Sequence, residues 1–180
     1  MSVKSLFISA VGVAVLAMPV VASAASAEAP AAASAAAKTV CVNTSGAPQF
    51  RQYIIAGLGK WNEAVRNVQL KECANATLRY VEGSYGQQGS HAVTNGHGQG
   101  TIYIDYQQMS KYDKVRITAH ETGHALGLKD HYQGPCSELM SGGGAGTSCH
   151  NASPNSQERQ SVERMWANGF TAPEVWSIQQ

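Results

Sequence analysis

His120-Glu121-Thr122-Gly123-His124-Ala125-Leu126-Gly127-Leu128-Lys129-Asp130 is the stretch on which the reading of this chain turns. On an α-helix, residues four apart lie one above the other, so His120 and His124 direct two imidazoles at one spot. A neutral imidazole nitrogen is a good zinc ligand at ~2.0–2.1 Å. Glu121 sits one residue along, where its carboxylate flanks the metal without having to ligate it. From there it can take a proton from a water that the metal has acidified, and hand that proton to a leaving group. Two ligands are too few, since a catalytic zinc usually has three protein ligands and an open position. Gly127 can adopt the left-handed conformation that ends a helix, and a turn there swings the following residues back towards the metal. Asp130 and His131 both fall within reach as the third ligand. A different arrangement would draw that ligand from a later helix, where Glu158 and Glu163 are the candidates, and it would need neither Gly127 nor Asp130.

Outward from this stretch, Val115 to Gly127 reads as the central helix, with Asp113 as its N-cap. Apolar residues at Phe50, Ile54, Leu58, Trp61 and Val65 give an amphipathic helix between Pro48 and Val68. Thr77–Glu82 and Thr101–Tyr106 read as strands, the second serving as the sheet edge beside the cleft. Gly83 to Gly100 is polar and glycine-rich, so it reads as a mobile surface loop in which His91 and His97 are solvated. Met109–Asp113 reads as a connector and residues 129–154 as an irregular loop. A last helix spans about Asn155 to Ala167, with Val162, Met165 and Trp166 turned inward. The fold class is α+β: one domain with a small sheet, an N-terminal helix, a central helix and a loop-rich C-terminal part.

The N-terminus reads as an export signal over residues 1–24, with Lys4, an apolar run from Leu6 to Met18 and the small-x-small site Ala22-Ser23-Ala24. The apolar run is too short for a comfortable membrane span, and no membrane association is expected once the signal is removed. Residues 25–37, nearly all alanine, read as a pro-segment or spacer, which leaves 38–180 as the folded domain. A net charge of +1 gives no sign of a nucleic-acid partner. All four cysteines lie beyond the signal, and in an oxidising compartment an even count reads as disulfides. Of three connectivities, Cys41–Cys73 and Cys136–Cys149 are favoured because each closes a local loop.

The run from His120 to Asp130 fits the Asp form of the metzincin signature, and Ser137-Glu138-Leu139-Met140-Ser141-Gly142 resembles the methionine-turn of that clan. Together with His131, Tyr132 and Gly134-Pro135-Cys136, these residues closely resemble snapalysin, a family of small secreted neutral proteases. The similarity extends from roughly Val40 to Gly169. It implies a twisted, mostly parallel sheet and an extracellular, monomeric zinc endopeptidase acting on protein or peptide substrates. It assigns His120, His124 and Asp130 as zinc ligands and Glu121 as general base. Tyr132 would stabilise the oxyanion, and Met140 would form the packed base under the metal. It implies a bridge between Cys136 and Cys149, a calcium site at Asp113 and the Val115 carbonyl, and a preference for an aromatic residue after the cut. A non-catalytic zinc-binding domain is the competing reading, and loss of Glu121 would be its usual mark.

Overall fold

The computed structural model describes Met1, residues 36–167 and residues 176–177, and everything below belongs to the compact unit Ser34–Gln180. Apart from Met1, the expected export signal, and all but the last two residues of the alanine-rich spacer, lie outside the described residues. Among the described residues no helix is long and apolar enough to cross a membrane.

The first strand, β1 (Lys38–Gly46), buries Val40, Val42 and Thr44 in strict alternation, which fixes its inner face. It is followed by α1 (Arg51–Ala64), β2 (Val68–Glu72), β3 (Leu78–Gly83), β4 (His91–Thr94) and β5 (Gly100–Asp105). Then come α2 (Tyr106–Lys111), α3 (Lys114–Ala125), α4 (Ser156–Ala167) and the two-residue β6 (Trp176–Ser177). The sheet order is β2-β1-β3-β5-β4-β6. The pairs β1·β2, β1·β3 and β3·β5 are parallel, whereas β4 runs antiparallel to both β5 and β6.

α1 and α3 pack on the sheet and on each other. Ile54, Leu58 and Trp61 of α1 are buried at helical spacing. Gly57 completes that face, because a Cβ there would lie 2.5 Å from Thr118 Oγ1 and 2.8 Å from the Ala119 amide. The two helices approach too closely for any larger residue. Leu78, Tyr80, Ile102 and Ile104 of the sheet fill the same core.

Four sequence expectations need correction. β5 is not the sheet edge, since it lies between β3 and β4. The stretch from Gly83 to Gly100 is not all loop, because it contains a 3₁₀ turn at Gly86–Gln88 and the strand β4. Glycines with positive φ at 86, 89, 96 and 98 flank β4 and leave 90–94 free of glycine. His91 is accordingly buried, stacked on Tyr103 at 4.5 Å, and is not solvated. The connector before α3 is largely helical, as α2, with Asp105 capping it by accepting from the Gln108 amide at 2.9 Å. β1 and β2 add two strands to the two expected.

Candidate metal centre

α3 begins at Asp113, whose Oδ1 accepts from the Arg116 amide at 2.9 Å as a helix cap. His120 and His124 project from one face of the helix with their rings edge-to-face at 4.8 Å. The helix ends at Ala125, and Gly127 turns the chain with φ of 102°. A side chain there would also lie 2.8 Å from Met165 Sδ and 3.1 Å from the Gly96 carbonyl. The turn brings Asp130 Oδ1 to 3.0 Å from His120 Nε2 and 3.3 Å from His124 Nε2. The next residue, His131, faces away, 60% exposed, with Nδ1 at 2.5 Å from Glu138 Oε2.

The donor set fits a metal ion on the protonation pattern alone. His120 Nδ1 lies 3.1 Å from the Leu139 carbonyl and His124 Nδ1 lies 2.9 Å from the Leu128 carbonyl. A carbonyl can only accept, so each Nδ1 carries the hydrogen and each neutral ring turns a bare Nε2 lone pair towards Asp130. Those atoms are close enough for ion pairs, yet His124 Nε2 and Asp130 Oδ1 are buried with no hydrogen-bond partner. Lone pairs crowded together in a buried site repel unless a cation sits among them. His120, His124 and Asp130 are also the one group of three or more such side chains, among the described residues, whose ligand atoms lie within 4.8 Å of one another. Two nitrogens and one carboxylate oxygen suit zinc with a position left open. Backbone carbonyls behind the two imidazoles fix tautomer and ring orientation.

Glu121 is 2% exposed, and its Oε2 is buried with no hydrogen-bond partner. Burial raises its carboxyl above the ordinary value against the opposing pull of His120 and His124. The cleft beside it is lined by Gln108, Tyr112, Ile117, His120 and Tyr132. Burial, then the nearby Asp130 charge, pushes the Tyr132 phenol upward, so it stays protonated as a hydrogen-bond donor. Gly142, with φ of 50°, keeps this space open, since a Cβ there would lie 3.0 Å from His120 Cε1 and 3.2 Å from Tyr132 Cε1.

The loop under the helix is built around a 3₁₀ segment, Leu139–Ala145. Met140 is buried directly beneath α3, where a Cβ on Gly123 would come 2.6 Å from its Sδ. Disulfides join Cys136 to Cys149 and Cys41 to Cys73. Two buried charges hold this loop, a role the sequence did not announce for either. Arg116 donates to the carbonyls of Glu138, Gly142 and Asn151 and to Ser141 Oγ at 2.5–3.2 Å. Glu158 accepts from the Leu139 and Met140 amides at 3.2 and 2.7 Å. Neither Glu158 nor Glu163 serves as the alternative ligand, because the Glu163 carboxylate caps the Arg66 and Asn67 amides. At the expected calcium position, Asp113 spends one oxygen on its cap and faces His150 at 3.3 Å with the other. The Val115 carbonyl accepts from Thr118 Oγ1 at 3.0 Å. No group of three or more such ligands surrounds Asp113 among the described residues.

With this geometry established, known proteins give the chain its relatives. Residues 37–169 match the family described as the Streptomyces extracellular neutral proteinase (M7) family. The chain is 58% identical over 131 residues to the extracellular small neutral protease of Streptomyces caespitosus, covering 73% of this chain and 98% of that protein. It is 56% identical over 137 residues to the protein of the same name from Streptomyces sp. strain C5, and 53% identical over 137 residues to that of Streptomyces lividans. Those two alignments cover 76% of this chain but only 59% and 60% of the relatives.

Proposed function

The chain belongs to the Streptomyces extracellular neutral proteinase (M7) family, and from that membership and the site we propose that it is a secreted zinc-dependent endopeptidase. The observation that carries the reading is the convergence of three lone-pair donors, His120, His124 and Asp130, beside a buried carboxylate that borders a cleft. Zinc held by these three would supply Lewis acidity to a coordinated water and to the scissile carbonyl. Glu121 accepts the proton from the attacking water and delivers it to the leaving amine, and its raised affinity for protons suits both halves of that task. Tyr132, kept protonated, donates a hydrogen bond to the carbonyl oxygen as it gains charge. Gly127 sets the turn that delivers Asp130, and Met140 supports the helix from below.

The substrate is a protein or peptide in extended form, laid antiparallel along the outer edge of β4. That strand sits on α3, with Thr94 Oγ1 donating to the His124 carbonyl at 3.3 Å. A preference for an aromatic residue after the cut, a signal peptide at 1–24 and a mature domain from residue 38 complete the reading. A buried Glu121 aimed at the cleft argues against a non-catalytic zinc-binding domain, since burying a carboxylate without a task is costly.

Metal analysis and casein hydrolysis by the mature domain test this directly. One zinc per chain is expected, with activity abolished by chelator and restored by added zinc. A metal-free protein that still hydrolyses casein in chelator would overturn the proposal.

A further inference from the structure

Among the described residues, the outer edge of β4 has one partner, β6, paired antiparallel with Trp176 opposite Thr94 and Ser177 opposite Val93. The family match ends at residue 169. β6 therefore belongs to a C-terminal stretch outside it, Phe170-Thr171-Ala172-Pro173-Glu174-Val175-Trp176-Ser177-Ile178-Gln179-Gln180. Val175, Trp176 and Ile178 are β-branched or aromatic, the residue types that favour a strand.

We infer that this C-terminal segment is an intramolecular competitor for the peptide-docking edge, occupying as a short antiparallel strand the edge of β4 that an extended substrate needs. The inference rests on the endopeptidase reading above. A strand edge offers one row of N–H and C=O groups, so a tail and a substrate cannot use the same residues at once. The N-terminal end of β4 adjoins the cleft. Gln108, which lines the cleft with Glu121, accepts from the Ser90 amide at 2.9 Å. The antiparallel register runs from Trp176 at Thr94 to Ser177 at Val93, so β6 points along β4 towards His91 and the cleft.

Two residue pairs make a weak strand, but a tether raises the local concentration of the tail to the order of millimolar. The restraint is therefore reversible and is overcome by saturating substrate. It appears in KM and not in kcat.

The test compares the full mature chain with one ending at Gly169 and with a full-length double variant, Trp176→Pro, Ser177→Pro. Proline cannot donate to a ladder, so the double variant keeps the tail but removes its pairing. Both altered forms should show KM for an extended peptide substrate lowered about threefold or more, with kcat unchanged. A synthetic peptide of residues 170–180 should inhibit the shortened form competitively. Amide exchange should quicken in both altered forms at the β4 amide, of Val93 or Thr94, that turns its N–H to β6, a readout that needs no activity. If the shortened chain does not fold, the proline variant carries the comparison. Equal KM values in active full-length and proline-variant enzyme, or unchanged exchange in β4, would overturn the tail assignment. Absence of peptide cleavage in every zinc-loaded form would instead overturn the endopeptidase reading beneath it.

Discussion

Replacing Glu158 by alanine should destabilise the domain far more than a helix-surface substitution normally does. Glu158 opens α4, where the Asn155 side chain accepts from the Gln157 and Glu158 amides at 2.9 Å and Glu158 Oε2 accepts from the Asn155 amide at 2.6 Å. This is a reciprocal capping box, and losing such a cap costs ~1 kcal/mol. The same carboxylate also takes the Leu139 and Met140 amides of the loop beneath the two histidines. Leu139 is fully buried and Met140 is 3% exposed, so neither amide gains water when the carboxylate goes. Each stranded donor costs ~1–3 kcal/mol, which brings Glu158→Ala to roughly 3–7 kcal/mol with the cap included. Glu158→Gln keeps the shape and one accepting oxygen, so about half that loss is expected.

Urea denaturation of the mature domain with disulfides intact measures this, as a lower midpoint at unchanged slope. Zinc affinity should fall as well, by about tenfold, because the Leu139 carbonyl orients the His120 ring. A Glu158→Ala protein within about 1 kcal/mol of the parent would refute the reasoning, since surface substitutions stay within roughly ±0.5 kcal/mol.

Glu121→Gln should retain zinc yet lose about 10²–10⁴ in kcat, because the amide keeps the shape but cannot accept a proton; near-normal peptide turnover would mean another base. Asp130→Ala should weaken zinc binding sharply while His131→Ala leaves it nearly unchanged, and metal titrations giving the reverse ranking would move the third ligand to His131. Breaking the Cys136–Cys149 bridge by a double Cys→Ser change should cost ~3 kcal/mol in the chain-entropy view of a loop this short. Peptide mapping that finds either thiol free in the secreted protein would contradict the bridge.

Local signals in the sequence were the readable ones. The helical spacing of Ile54, Leu58 and Trp61 marks α1, and the spacing of His120, His124 and Gly127 marks both α3 and the turn after it. Asp113 was legible as a cap because capping is decided within one turn. Strand pairing is not local. β1 and β2 partner each other in parallel across a helix, so nothing adjacent in sequence announces them. β5 has good strand composition, but its interior position depends on β4, which lies hidden between glycines. Glu158 read only as an alternative ligand on the last helix, and nothing near Arg116 in sequence marks it as buried. Only the loop folding back over them turns each into a buried organiser.

The two histidines share one anchored helix, and that anchoring bears on how well the site is preorganised. Trp61 Nε1 donates to the Ala119 carbonyl at 2.8 Å, and Trp166 Nε1 donates to the Leu126 carbonyl at 3.1 Å. Between them Tyr80 Oη and Thr122 Oγ1 lie 2.8 Å apart, and Thr118 Oγ1 donates to the Tyr53 carbonyl at 2.8 Å. These ties come from α1, β3 and α4, so α3 is gripped along its length by three separate elements. Gly123 lets Met140 and Trp61 press against the helix backbone between the two histidines, since a Cβ there would lie 2.6 Å from Met140 Sδ and 3.2 Å from Trp61 Cζ2. An imidazole pair held this way loses little freedom when a metal arrives, so more of the binding free energy appears as affinity. The chain therefore places two buried tryptophans, the buried Met140 and the close approach of Gly57 along the stretch from Thr118 to Leu126 that carries both histidines. Rigidity there serves the geometry of the site as much as the stability of the fold.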